Sequence, residues 1–129
     1  MSEDKAILVD TDILIDYLRG TQESVRYLEE LDVDLKLSVV NVTELFAGVR
    51  DNEHEAVQDL LDCFEIVPLD QSLAKRGGLM RRDFGKSHGV GLADAIIAAT
   101  AEKLGCTLAT LNRKHFPMLD SVVVPYRKE

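Results

Sequence analysis

Short apolar runs alternate along this chain with stretches in which hydrophobic residues recur every three or four positions. The apolar runs predict β-strands over residues 6–9, 35–40, 64–69, 107–111 and 121–124. The helical spacing predicts helices over residues 13–18, 21–31, 42–49, 53–62, 72–86 and 92–104. Connections of this length favour parallel strands with helices on both faces, so we predict an α/β fold with a mainly parallel sheet of four or five strands.

Local signals place several helix ends. Thr21 is a candidate N-cap, and Asn41 is a second one, with Glu44 completing a possible capping box. Gly105 is predicted to end the last long helix. Asp10 or Asp12 could cap the helix that follows the first strand, which gives these acids an ordinary structural explanation.

The composition indicates one globular domain over residues 1–129. Hydrophobic residues make up 46% of the chain, and no Gly-rich, Pro-rich or low-complexity linker interrupts it. The charged start of the chain does not resemble a signal peptide, and no run of about 18 apolar residues occurs. We therefore expect a soluble, cytoplasmic protein without a membrane segment.

The net charge of −8 hides an asymmetry between the two parts of the chain. Residues 1–62 carry 5 basic and 16 acidic side chains, a charge of −11, whereas residues 63–129 carry 10 and 7, a charge of +3. The basic part contains Arg81, Arg82, Lys86 and Arg113, which we predict as phosphate contacts. A solvated helix face is the alternative explanation for such a run.

Three acids stand where a strand gives way to a helix or in the first turn of a helix: Asp10, Glu44 and Asp94. Asp94 is the only charged residue between Leu92 and Ala101, in a helix that is apolar on all sides and therefore predicted to be buried. A buried carboxylate is costly unless it is paired, hydrogen-bonded or bound to a metal. Parallel sheets place their ligand crevice beyond the carboxyl ends of the strands, where Asp10 and Glu44 would lie.

Four blocks of sequence, in this order, resemble the PIN domain family of metal-dependent nucleases, and within it the VapC type toxins. The blocks are residues 7–16 (ILVDTDILID), 38–45 (SVVNVTEL), 92–101 (LADAIIAATA) and 108–117 (LATLNRKHFP). The resemblance covers nearly the whole chain. It implies a three-layer α/β/α sandwich, cleavage of RNA, an antitoxin protein as partner, and a homodimer.

The resemblance also implies which residues do the chemistry. It assigns Asp10, Glu44 and Asp94 as catalytic, metal-binding acids for Mg²⁺ or Mn²⁺, with Thr11 and Asp12 as possible auxiliary residues. Many members have Asp where this chain has Asn112, and an amide keeps an oxygen acceptor but loses the charge. One firmly held ion, with a second recruited by substrate phosphate, is therefore the expectation.

Other functions remain open from the sequence. Asp10-Thr11-Asp12 fits the nucleophile and acid pair of a haloacid-dehalogenase-like phosphatase, but a downstream lysine and paired-aspartate block is missing. A receiver-like module would need its acceptor Asp after the third strand, where Pro68 marks a turn before Asp70. A PIN-type RNA-processing nuclease outside a toxin pair, or a degenerate PIN module that only binds partners, are the remaining alternatives.

Overall fold

The computed structural model describes residues 6–127, which form a five-stranded parallel sheet with the strand order β3-β2-β1-β4-β5. The strands are β1 (Ile7–Val9), β2 (Leu35–Ser38), β3 (Glu65–Val67), β4 (Thr107–Ala109) and β5 (Val122–Val123). The helices are α1 (Thr11–Leu18), α2 (Gln22–Glu30), α3 (Val39–Ala47), α4 (His54–Leu61), α5 (Gln71–His88) and α6 (Leu92–Leu104). Two short 3₁₀ turns, Asp51–Glu53 and Arg113–His115, precede α4 and follow β4.

Two hydrophobic clusters cover the two faces of the sheet. Successive residues of a strand point to opposite faces, so Leu8 packs with the cluster of α5 and α6, whereas Val9 packs with the cluster of α1 to α4. Both residues are fully buried. The predicted three-layer α/β/α sandwich with a parallel sheet is therefore confirmed.

The order of the strands reverses beside β1. The chain first builds outward from β1 through β2 to β3, and then returns to place β4 on the other side of β1. The backbone N–H of Asp10 donates to the carbonyl of Ala109 at 2.9 Å, which closes the pair β1–β4 at its carboxyl end. Such a switch point opens a crevice beyond the carboxyl ends of the two strands.

The start of α3 differs from the prediction. The second strand does not continue to residue 40, and Asn41 is not the N-cap, because α3 already begins at Val39 with Ser38 as its N-cap. The Ser38 hydroxyl accepts from the backbone N–H of Val40 at 3.1 Å, and the Asn41 side chain accepts from the backbone N–H of Ser38 at 2.9 Å. This capping box outweighs the β-propensity of Val39 and Val40.

The other predicted elements exist with small shifts at their ends. The helix predicted over 92–104 has the predicted bounds and ends at Gly105, which adopts a left-handed conformation with φ of 63°. The basic helix is longer than predicted, and the strands are shorter. Thr21 precedes α2, but its side chain makes no capping hydrogen bond. In the described part of the chain, none of the helices combines the length and the apolar character needed to cross a bilayer.

Helix α5 approaches α6 closely at a buried glycine. A Cβ atom at Gly77 would lie 2.9 Å from Cγ1 and 3.2 Å from Cα of Ile96, so both side chain and backbone are in the way. A Cβ atom at the neighbouring Gly78 would meet no atom of the described chain within 4 Å, apart from its own neighbours. Gly77 therefore sets the distance between the two helices.

We expect opposite effects of alanine at these two adjacent positions. Gly77→Ala should lower the free energy of unfolding by about 1–3 kcal/mol, because α6 must shift to relieve the overlap. Gly78→Ala should raise it by up to about 1 kcal/mol, because alanine favours a helix and meets no obstacle. Urea denaturation of both variants measures this, and a stabilised Gly77→Ala protein would contradict the close approach.

Candidate active site

Asp10 lies at the centre of the crevice, directly after the central strand β1. It is the N-cap of α1, and only 7% of its surface is exposed. One carboxylate oxygen accepts from the backbone N–H of Thr11 at 2.8 Å, and the other accepts from the hydroxyl of Thr110 at 2.7 Å. Thr110 follows β4, so the side chains on both sides of the switch point meet at this carboxylate.

Thr11 connects Asp10 to Glu44 on α3. Its hydroxyl donates to a carboxylate oxygen of Glu44 at 2.6 Å and accepts from the side-chain amide of Asn41 at 2.8 Å. Asn41 is fully buried, and Glu44 is partly exposed. Glu44 therefore accepts a hydrogen bond from Thr11 of α1. The predicted capping box of Asn41 and Glu44 is wrong, because α3 already begins at Val39.

Asp94 lies in the first turn of α6 and is less buried than predicted, with 25% of its side chain exposed. One of its carboxylate oxygens lies 3.3 Å from Nδ1 of His115. The same nitrogen lies 2.9 Å from the side-chain amide nitrogen of Asn112. His115 and Asn112 therefore form the surroundings of Asp94 on the side of β4.

The acids of the crevice repel one another. The pKa of Asp10 is raised to about 7, chiefly by burial and further by the negative charges of Asp12 and Asp94. Burial also raises the pKa of Asp12 and that of Asp94, although the contact with His115 acts in the opposite direction on Asp94. Closely placed carboxylates of this kind favour a bound proton or a cation between them.

Asp12 carries an unusual free oxygen. Its Oδ2 accepts from the backbone N–H of Leu111 at 3.1 Å, whereas its buried Oδ1 has no hydrogen-bond partner among residues 6–127. A buried polar atom without a partner is costly, and a cation would relieve this cost. The donor set consists of carboxylate oxygens, the ligands that Mg²⁺ prefers.

The chemistry of the crevice therefore fits a hard divalent cation, but the acids do not enclose one. Within residues 6–127, no group of three or more histidine, cysteine, aspartate or glutamate side chains is arranged to hold a metal ion. The structure brings Asp10, Asp12 and Asp94 within electrostatic reach of one another, and it links Glu44 to Asp10 only through Thr11. Mg²⁺ needs no complete protein cage, since one or two carboxylates and a substrate phosphate commonly hold it.

The four predicted phosphate contacts occupy two places. Arg81, Arg82 and Lys86 are exposed on the second half of α5, where Arg82 pairs with Asp83 at 2.9 Å. Arg113 is exposed in the turn after β4 and lines a cleft between the segments that follow β4 and β5.

Three residues of the site were missed by the sequence reasoning. The sequence indicates only a capping role for Asn41, and it indicates no role for Thr110 or His115. A polar residue directly after a central strand, as at Thr110, is the signal that could have been used. For His115 the sequence offers no comparable signal, because its contact with Asp94 depends on how α6 packs against the sheet.

Comparisons with known proteins agree with this architecture. Residues 7–120 match the model of the PIN domain. The chain is 42% identical over 123 residues to Ribonuclease VapC10 from Mycobacterium tuberculosis, covering 93% of this chain and 92% of the relative. It is 34% identical over 123 residues to Ribonuclease VapC19 from the same species, covering 92% and 98%.

A solved structure shows the same fold. The toxin-antitoxin complex from Klebsiella pneumoniae contains a chain that is 31% identical and superposes with a TM-score of 0.82. The match covers 95% of this chain and 99% of that one.

We expect the repulsion among the acids to appear in the pH dependence of stability. An unfolded Asp10 releases its proton near pH 3.8, whereas the folded protein holds it to about pH 7. The metal-free protein should therefore lose stability as the pH rises between these values, because folded molecules bind the extra proton. Asp10→Asn removes this charge, so its stability relative to the parent should improve over the same range.

Urea denaturation in EDTA, near pH 4 and near pH 8, measures this difference, which should reach on the order of 1 kcal/mol or more. Asn is close in shape, and the hydroxyl of Thr110 can accept from its amide, so the variant should fold. Asp32→Asn, in the exposed loop before β2, is the charge-matched control. A constant difference between Asp10→Asn and the parent across the pH range would contradict the repulsion.

Proposed function

Since the chain belongs to the PIN domain family, and within it to the VapC type, we propose that it is a metal-dependent endoribonuclease and the toxin of a toxin–antitoxin pair. The reaction is hydrolysis of RNA phosphodiester bonds by water. The observation that carries this proposal is the buried Asp10 at the switch point, whose pKa is raised by its own burial and by the charges of Asp12 and Asp94. A protein nucleophile is not needed for such hydrolysis.

Asp10, Glu44 and Asp94 would hold Mg²⁺ or Mn²⁺, as one or two ions, with Thr11, Asp12 and Asn112 as auxiliary residues. When bound, the ion would supply positive charge to the phosphodiester and lower the pKa of the attacking water. The amide at Asn112 removes one negative charge from the set, which favours a single firmly held ion.

The residues around the acids keep their oxygens in place. Thr110 and the backbone of Thr11 orient the Asp10 carboxylate, and Asn41 orients the Thr11 hydroxyl toward Glu44. His115 contacts Asp94 at 3.3 Å. Hydrogen bonds of this type around metal-binding carboxylates fix their direction and hence the site.

The partners follow from the relatives. Because a chain of the same fold was solved as a toxin-antitoxin complex, we propose an antitoxin protein as the partner that blocks the crevice, and a homodimer as the assembly. A cytoplasmic location fits an RNA substrate. An RNA-processing nuclease outside a toxin pair would share the chemistry but not the antitoxin. That residues 1–129 form one PIN-like domain stays a prediction.

The two alternatives from other protein classes lose support. The position that a receiver-like module needs for its acceptor is Asp70, which is exposed, caps α5 and pairs with Lys103 at 3.3 Å. Asp10 and Asp12 would serve a phosphatase of the haloacid-dehalogenase type, but α1 begins immediately at Thr11 and no cap domain follows within residues 6–127.

We expect Asp94→Asn to lower metal-dependent cleavage of RNA by at least about 100-fold. Loss of a residue that only hydrogen-bonds to a metal ligand already costs about 10–100-fold, and Asp94 is proposed to bind the metal itself. The fold should persist, since the substitution removes a repelling charge. Incubation of purified protein with structured cellular RNAs, with Mg²⁺ or Mn²⁺ and with EDTA, measures this.

Asp32→Asn serves again as the control, because it removes the same charge in the loop before β2, at the amino ends of the strands. It should cleave like the parent. Equal cleavage by the Asp94→Asn protein would refute the role of the crevice, and hydrolysis of a small phosphoester but not of RNA would favour a phosphatase.

We expect the double variant Arg81→Ala and Arg82→Ala to bind RNA more weakly and with less salt dependence. Each lost contact with a single-stranded phosphate should lower the slope of log K against log salt by about 0.7. Fluorescence anisotropy at several salt concentrations measures this slope. An unchanged slope would assign these arginines to a solvated helix face or to the antitoxin.

A further inference from the structure

A cleft of about 480 Å³ lies between the segments that follow β4 and β5. Its walls include Asn112, Arg113, Lys114, Tyr126 and Arg127. The volume is in the range of clefts that hold small organic ligands, and one nucleotide fits this size.

The cleft shares a wall with the acidic crevice. The backbone N–H of Leu111 donates to Asp12 at 3.1 Å, and the backbone N–H of Asn112 donates to the hydroxyl of Thr110 at 3.1 Å. That hydroxyl donates in turn to Asp10. Leu111 and Asn112, which line the cleft, are therefore only one or two hydrogen bonds away from Asp12 and Asp10.

The charge of the cleft suits a polyanion. Arg113, Lys114 and Arg127 are exposed, and no acid occurs among the described residues that line it. The clefts near Asp32 and near Glu23 contain acids, and Tyr126 separates the cationic cleft from the second of these.

A second cationic cleft lies on α5, but it is partly neutralised. There Arg76 pairs with Glu102 through two contacts of 2.8 and 3.0 Å. Lys75 remains in that cleft as an exposed cation of the same kind as Lys114.

Tyr126 gives the cleft an aromatic surface of fixed position. Its hydroxyl donates to the buried Asp16 at 2.8 Å, and this burial and contact raise the pKa of the phenol. Because the hydroxyl is already bonded, the ring itself is what the cleft can offer to a ligand. A held ring is suited to stack on a nucleobase, since little freedom is lost on binding.

We propose that this cleft is the subsite for the nucleotide next to the cleaved phosphodiester. Arg113, Lys114 and Arg127 hold its flanking phosphates, and Tyr126 stacks on its base. The inference rests on the proposed function, because it takes the acids as the place of cleavage. An RNA strand is favoured over an acidic peptide because it uses the acids, the cations and the aromatic ring together.

Binding of a fluorescent single-stranded RNA of mixed sequence to the full chain in EDTA tests the subsite without cleavage. Lys114→Ala should weaken binding about 3- to 10-fold at low salt and lower the salt slope by about 0.7. Lys75→Ala, its matched control on α5, should change neither. Equal effects of the two substitutions would overturn the subsite.

Tyr126 is tested by two substitutions that separate the ring from the hydroxyl. Tyr126→Ala should weaken binding about 10-fold, whereas Tyr126→Phe keeps the ring, loses only its bond to Asp16, and should weaken binding much less. If Tyr126→Ala does not fold, the comparison of Lys114 with Lys75 still decides the proposal. Equal weakening by Phe and Ala would mean that the bond to Asp16 matters and that stacking is absent.

The same variants distinguish the subsite from the proposed function. RNA binding that depends on Lys114 and Tyr126, without cleavage in Mg²⁺ or Mn²⁺, would support the cleft as an RNA-binding site and refute hydrolysis. Cleavage by a parent whose RNA binding is insensitive to both residues would overturn the subsite alone. If Lys114→Ala weakens binding of a polyglutamate peptide but not of RNA, the cleft is a site for an acidic protein segment and the proposal is wrong.

Discussion

The burial of one carboxylate, that of Asp10, is the constraint on which the rest of the structure depends. The central strand of a parallel sheet ends in the interior, so a charged residue placed there loses its hydration. Two donors, the backbone N–H of Thr11 and the hydroxyl of Thr110, offset part of this loss. The raised pKa of Asp10 shows that the compensation is incomplete. The part of the desolvation cost that is not offset therefore lies where a parallel sheet opens its ligand crevice.

The early start of α3 makes the surroundings of this carboxylate possible. Because Ser38 caps the helix, Asn41 lies within the first turn, where its side chain reaches both the Ser38 backbone and the Thr11 hydroxyl. Glu44 follows one turn later and accepts from that same hydroxyl. The buried amide of Asn41 therefore both caps α3 and, through Thr11, orients Glu44. The same side chain stabilises the start of the helix and the arrangement of the crevice.

The sequence predicts most of the fold, because hydrophobic periodicity depends on local spacing. It also predicts the acids Asp10 and Asp94, since a strand end and an apolar helix make a carboxylate conspicuous. It could not predict the contact of His115 with Asp94 or that of Tyr126 with Asp16, because these join positions that only the packing of the layers brings together. The cap of α3 was misplaced because β-branched valines favour a strand, whereas the Ser38 capping box favours a helix.

The net charge of −8 is a poor guide to what the molecule binds. Charges more than about 8 Å apart are largely screened at physiological salt, so a phosphate group responds to its immediate neighbours and not to the total. Most acids of the crevice come from residues 1–62, and the cations of the adjoining cleft come from residues 63–127. The parallel crossover that places β4 beside β1 joins these two parts at one edge of the sheet. A divalent cation held by the acids would cancel two of their negative charges. The three cations of the cleft would then outweigh the charge that remains, and this end of the sheet would attract a polyanion despite the acidity of the chain.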